Sequence, residues 1–231
     1  MRKTPAYITD DSLEVRRLIR ENPWATLVAS TSAGIVASHY PVILEESADG
    51  TRDGTSEVIS IVSHVGRPDE RALELGSHEM LVIIQGPHGY ISPGWYGQVP
   101  AVPTWNHVTA HLYGVPEILS DKENYRVLGN LVDHCEDRMP NPARMHYNEE
   151  YARRIAVGTV GFRLRVTRFD ARLKLSQTKS SDIVNQVISE LEHGANYANP
   201  ALAAEMRRVH PVTDHGVISG RGTGPGQSRT D

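Results

Sequence analysis

The sequence predicts an α+β domain based on a β-barrel, and three observations carry that expectation. Four strand-like runs follow in close order: "WATLVAS", "GIVASHYPVIL", "EVISIVSHV" and "EMLVIIQG". A fifth, "WNHVTAHLYGVPEIL", alternates polar and apolar side chains over most of its length. Helical patterns are placed around these strands, and no internal repeat or clean second domain can be cut out.

Each element has a local cause. Residues 10–21 read as a short helix capped by Asp10 or Asp11, with Val15, Leu18 and Ile19 on one side. Asn22-Pro23 stops it, because the residue before proline avoids helical dihedrals. "RPDERALELG" gives one or two helical turns closing on Gly76. The fifth strand breaks at Gly114, where a bulge or bend is expected. A capping box from Ser120 to Glu123 opens the next helix, with an apolar stripe at Tyr125, Leu128, Val132 and Cys135. "EEYARRIAV" is a second short helix. "VGFRLRVTRF" alternates again, with Phe162, Leu164 and Val166 inward. A helix from about Asp182 carries Val184, Val187, Ile188 and Leu191, and Asn199-Pro200 opens the last one. Residues 1–210 therefore read as one domain and 211–231 as a disordered tail. Its alternate glycines, Gly220 to Gly226, lack the flanking strand and helix that a dinucleotide loop needs.

Composition narrows the function. Hydrophobic content of 39% and charged content of 23% are ordinary for a globular chain. The single cysteine, Cys135, excludes an intrachain disulfide framework, suits a reducing compartment and reads as a small buried hydrophobe. The first 21 residues carry charge where a signal peptide needs an apolar run, and no stretch is apolar for long enough to cross a bilayer. A cytoplasmic protein with no membrane partner is the expectation. The formal net charge of −4 and the lack of a helix-turn-helix argue against direct nucleic-acid binding.

In "VPTWNHVTAHLYG", Trp105, His107, Thr109, His111 and Tyr113 point one way, and Asn106, Val108, Ala110 and Leu112 the other. The second set is ordinary core. The first is a wall of rings and hydrogen-bonding groups. His107 and His111 lie well over about 10 Å apart along a strand, too far to share one zinc ion. The stretch 83–107 reads as a stiff loop that concentrates Gln85, His88, Tyr90, Trp95, Thr104, Trp105 and Asn106. Flat rings beside donors suit a planar cofactor, and a proline-rich connection covering one barrel end is the alternative.

"QGPHGYISPGWY", "VPTWNHVTAHLYG" and "LKLSQ", taken together, closely resemble the PaiB family of FMN-binding negative transcriptional regulators, in register from about Tyr7 to Arg208. The resemblance implies a split β-barrel, six-stranded and dimeric, with FMN in the subunit interface and a redox or regulatory role. It marks His64 and Arg67 in "SHVGR" as cofactor-binding, although "PDE" stands where the family has Asn-Pro. It also makes Lys174, Ser176 and Gln177 pocket or interface residues, and puts His107 where the family usually has an aromatic. On residue type alone His39 is as readily a core histidine as a pocket one; Arg67 is suited to an anion, a cofactor phosphate or propionate, with a surface ion pair to Asp69 or Glu70 as the alternative. The same blocks resemble, more loosely, the haem-dependent piperazate synthases, which form a nitrogen–nitrogen bond in an N-hydroxylated ornithine. Under that reading the cofactor is haem and His64 is the iron ligand. Catalytic residues are not assigned in either case.

Overall fold

The structure is a computed structural model that describes residues 4–45, 58–97 and 101–210. The expected tail, 211–231, lies outside the described residues. Among the described residues nine strands form one antiparallel sheet: β1 (Ile8–Thr9), β2 (Trp24–Thr31), β3 (Gly34–Leu44), β4 (Ser60–Gly66), β5 (Met80–Ile91), β6 (Thr104–Gly114), β7 (Glu117–Ile118), β8 (Thr159–Arg165) and β9 (Arg168–Lys174). Their order is β1-β9-β6-β5-β2-β3-β4-β8-β7. The resemblance implied six strands. The sheet has seven long ones, and the two-residue β1 and β7 extend its two edges.

The sheet curls around one large apolar cluster fed by alternate residues of its strands, among them Leu27, Val42, Ile61, Ile84, Leu112 and Phe162. Three helices close that cluster. α1 (Ser12–Glu21) is capped by Asp11, whose carboxylate accepts from Leu13 N at 2.8 Å, and it supplies Val15, Leu18 and Ile19. α5 (Ser181–His193) supplies Val184, Val187, Ile188 and Leu191, and α6 (Pro200–Val209), capped by Asn199, supplies Leu202, Ala203 and Met206. The short α2 (Arg67–Ala72) follows β4, and α4 (Glu149–Ala156) precedes β8. α3 (Asp121–Glu136) opens with the expected capping box.

Two expectations are corrected here. The buried stripe of α3 is Asn124, Val127 and Leu131, one position before the expected one, and it packs on Ile43, Val62 and Leu119. That face belongs to the strand residues pointing away from the main core. Cys135 falls off the stripe and is exposed. The second correction concerns the loop at 83–107: β5 continues through Ile91 and a 3-10 turn spans Pro93–Tyr96 before β6 starts at Thr104. Tyr90 and Trp105 are therefore paired strand residues.

Because the helices' buried apolar side chains serve these two clusters, the face of β2, β5 and β6 that carries Trp24, Gln85 and Trp105 has no helical cover among the described residues. No described helix is long and apolar enough to cross a membrane.

Gly114 ends β6 where a Cβ would lie 2.4 Å from the Arg165 carbonyl oxygen. Gly114→Ala should destabilise the fold by about 1–3 kcal/mol, the usual cost of overpacking. Gly129, inside α3, has open space around it, so Gly129→Ala should stabilise by about 0.5–1 kcal/mol through helix propensity. Urea unfolding of both variants checks the pair, and equal effects at the two sites would contradict this packing.

Candidate functional site

Alternation along β6 is as the sequence predicts: Asn106, Val108, Ala110 and Leu112 are buried, while Trp105 is 54% exposed. Its neighbour β5 does not alternate cleanly. Gln85 faces Thr109 and His88 faces His107, so three steps on β5 match two on β6. This bulge at Gly86-Pro87 puts Gln85 and His88, an odd number of residues apart, both on the exposed outer face. Gly86 sits close to its neighbours there: a Cβ would lie 2.7 Å from Leu18 Cδ1 of α1 and 3.3 Å from Val108 Cβ.

The outer face holds an open cleft of about 460 Å³ lined by Trp24, Thr26, His39, Ile83, Gln85 and His88, among others. His39 is exposed there and stacks on Trp24, with centroids 6.3 Å apart and planes at 15°. It is a pocket residue, not a core one. Beyond the bulge, Trp105 lies against His88 (5.9 Å) and Tyr90 (6.5 Å), and Tyr90 also meets Tyr197 (5.1 Å). Of the sequence-selected residues, His39, Gln85, His88, Tyr90 and Trp105 thus lie on one surface. Trp95 does not join them: it packs against the main core. Trp24 and Thr26 were missed, although alternation in "WATLVAS" already separates them from Ala25, Leu27 and Ala29.

His64 and Arg67 lie elsewhere, at the junction of β4 and α2. His64 shares its strand face with Val62 and meets the edge of Tyr40 (5.8 Å). Its Nδ1 is buried without a hydrogen-bond partner. Arg67 is half exposed. Its Nε donates to the Val157 carbonyl at 2.6 Å, and its guanidinium is 3.8 Å from Glu70. Asp69, the other candidate partner, instead accepts from Ser38 Oγ and Tyr40 Oη. Tyr40 Oη also accepts from Gly66 N at 2.9 Å. The "PDE" segment therefore pins α2 to β3 through its aspartate. Among the described contacts, none joins His64 or Arg67 to the cleft.

The "PTWN" and "KLSQ" blocks meet each other. Lys174 Nζ donates to Thr104 Oγ1 and to the Trp105 carbonyl at 2.8 Å. Asn106 Nδ2 donates to Ser176 Oγ at 2.9 Å and approaches Met206 Sδ at 3.4 Å. Ser176 is held at φ 68°, a left-handed conformation that costs a serine energy unless its surroundings fix it. Gln177 closes the turn on itself, accepting from Leu175 N and donating to the Leu173 carbonyl. These residues form a latch between the start of β6 and the turn after β9. Asn106 and Ser176 are buried on the core side, opposite the wall that bears Trp105.

Residues 1–168 match the family described as "Putative FMN-binding domain". The chain belongs to this family. Among curated proteins it is 29% identical over 196 residues to the protease synthase and sporulation protein PAI 2 of Bacillus subtilis, covering 84% of this chain and 89% of that one. It is 26% identical over 238 residues to an uncharacterized protein of Emericella nidulans, covering 87% and 94%. Among solved structures it is similar to the FAD and heme binding protein from Mycobacterium smegmatis (TM-score 0.53, 17% identity, 77% and 78% of the chains). The flavocytochrome Anf3 from Azotobacter vinelandii gives 0.51, 12%, 77% and 74%. The split-barrel fold is thereby shown. FMN, for which the family is described, is the cofactor expected from the sequence blocks.

Electrostatics separate the histidines. Burial lowers the pKa of His64. His107 is lowered first by burial and then by Lys174, Arg172 and His88. For His111 burial also leads, with Asp170 opposing it. The folded state thus prefers these imidazoles neutral, while the unfolded chain protonates them near the ordinary value of about 6.5. The unfolded state then binds more protons, so stability should fall as pH drops from about 6.5 towards 5, above the carboxylate range. Urea midpoints across that window check this, and a flat profile would contradict burial of the three rings. The latch makes a separate prediction: Asn106→Ala should cost about 1–3 kcal/mol of stability by stranding Ser176. Its flavin affinity, measured where the variant is folded, should equal that of the parent.

Proposed function

We propose that the chain is a cytoplasmic homodimer that binds FMN between its subunits and uses it in a redox or regulatory role. One observation carries this: the sequence-selected residues form two separate groups on one chain. His64 and Arg67 occupy the β4–α2 junction, and the cleft with its rings occupies the uncovered outer face. An isologous two-fold contact would bring one subunit's first group against the other's second. The uncovered face supplies apolar area for it, with Ile35 81%, Trp24 63% and Trp105 54% exposed.

The residues fit the flavin. Trp24 and His39 offer flat surfaces, the Gln85 amide offers both a donor and an acceptor, and the Arg67 guanidinium suits a phosphate bidentately. When bound, FMN supplies reversible electron transfer. The chain's own groups position it and exclude water from its faces. An acidic chain without a basic helix-turn-helix is not expected to contact nucleic acid itself, so a regulatory role would act through sensing.

A second reading keeps one observation of its own. The unpartnered, buried Nδ1 of His64 belongs to an imidazole held neutral, and a neutral imidazole is a sufficient axial ligand for haem iron. Under it the chain would be a haem enzyme of the piperazate synthase type.

The two readings separate in one set of measurements. FMN titration with sedimentation should give a flavin-bound dimer. Arg67→Gln should weaken FMN by about tenfold or more, the worth of a charge-assisted hydrogen bond. Ile35→Lys should split the dimer and lower flavin affinity together. A monomer with undiminished FMN binding would overturn interface binding. A Soret band on haemin addition that His64→Ala abolishes, with no flavin uptake by the parent, would establish the second reading instead.

A further inference from the structure

The bulge in β5 creates a row across three adjacent strands. His88 is directly opposite His107, and His107 directly opposite Lys174. All three are on the outer face, where opposed side chains on neighbouring strands sit within about 4.5–5.5 Å at Cβ. The next row adds Thr109 opposite Arg172. The row sets three polar hydrogen-bonding side chains next to one another, on a chain that is acidic as a whole, at −4. Sheet packing alone gives no reason for this arrangement.

The groups are also poised to donate. Lys174 Nζ uses two of its three hydrogens on Thr104 and the Trp105 carbonyl, which leaves one. His107 Nδ1 is paired with Thr109 Oγ1 at 3.2 Å; with the Thr109 hydroxyl as donor, the ring's proton is on Nε2, which points away from that bond. His88 is exposed, lines the cleft and lies against Trp105, whose indole is itself half exposed. Burial lowers the pKa of His107 first, and Lys174, Arg172 and His88 around it add to that. Asp170, in the row beyond, is engaged by Arg172 at 3.3 Å.

We propose that the His88–His107–Lys174 row binds the phosphate or carboxylate of a small-molecule substrate whose apolar body lies on Trp105. The placement of this substrate beside the cofactor rests on the flavin reading above, in which Arg67, at the β4–α2 junction, takes the phosphate of FMN. The row is then left for a second anion.

The test titrates the full-length protein, with and without FMN, using inorganic phosphate in one arm and benzoate in the other, at fixed pH and ionic strength. The readouts are the ring resonances of His88 and His107, assigned from single His→Gln variants, and Trp fluorescence. Saturable shifts of both histidines that persist in the FMN-loaded protein are expected. In the doubly substituted His88→Gln, His107→Gln protein, binding should weaken by about tenfold or more. A response to phosphate alone assigns a phosphorylated substrate, and a stronger response to benzoate with quenching of indole emission assigns an aromatic acid. Loss of the phosphate response on FMN loading would overturn the proposal, because the row would then hold the flavin's own phosphate. Linear, non-saturating shifts, or undiminished binding in the double variant, would overturn it as well. Failure of FMN to bind, with saturable anion binding intact, would count against the flavin reading and leave the anion site standing.

Discussion

Strand β6 has a period of two, and most of the molecule depends on that constraint. It lies between β5 and β9, so each of its residues must serve either the main core or the open outer face. Val108, Ala110 and Leu112 fill the core with no exposed area. The intervening Trp105, His107, Thr109, His111 and Tyr113 are then obliged to face outward. A one-residue slip of register would bury two imidazoles and expose the core set. The latch at the start of the strand guards against that slip. Lys174 and Ser176 can reach Thr104, the Trp105 carbonyl and Asn106 only in the native pairing of β6 with β9.

The same constraint explains which parts of the molecule could be read from sequence. Helices α1, α5 and α6 show their caps and stripes plainly, because Asp11, Asn199 and the Val184–Leu191 pattern are local signals with a local cause. In α3 the capping box is local and legible, but the choice of buried stripe is tertiary. Asn124 is buried there because its amide reaches the Thr159 carbonyl and hydroxyl, a contact set by where β8 lies. An apolar pattern through Tyr125 and Cys135 does not contain that information. The strand continuation through "PHGYI" was hidden for a similar reason. Proline and glycine read as loop, and only a partner strand shows that they form a bulge within a ladder.

For the candidate site, the residue types were legible and their grouping was not. The family blocks single out both His64 and Asn106, yet one packs beside Tyr40 and the other is sealed in the core against Ser176. A signature block marks positions that the fold or the ligand fixes, without saying which. The distinction is physical: Asn106 spends its amide on a serine held in a left-handed turn, whereas Gln85 and His88 have exposed polar groups and line an open cleft. Trp24 carries no such block; alternation in "WATLVAS" sets it off from the core residues, but only the pairing of β2 with β3 and β5 shows that His39 and Gln85 lie beside it.

The departure at "PDE" bears on the site in a way that its sequence does not show. With Asn-Pro absent, Asp69 accepts from both Ser38 and Tyr40, and Tyr40 in turn accepts from the Gly66 amide, the residue that caps α2. Three elements, β3, β4 and α2, are thereby tied at one carboxylate and one phenol. Burial raises the pKa of Tyr40 first, and Asp69 adds to it, so the phenol keeps its proton and remains the donor in that pair. Arg67 is the first residue of α2, and its Nε is committed to Val157. Its two terminal nitrogens extend from a tied support towards solvent, with Glu70 at 3.8 Å as the weak partner that an incoming phosphate would outbid. An exposed pair at that separation contributes about 0–1 kcal/mol, less than a bidentate contact between guanidinium and phosphate. The substitution that breaks the family pattern thus leaves Arg67 on a tied support, with no carboxylate of the described residues closer to its guanidinium than that of Glu70.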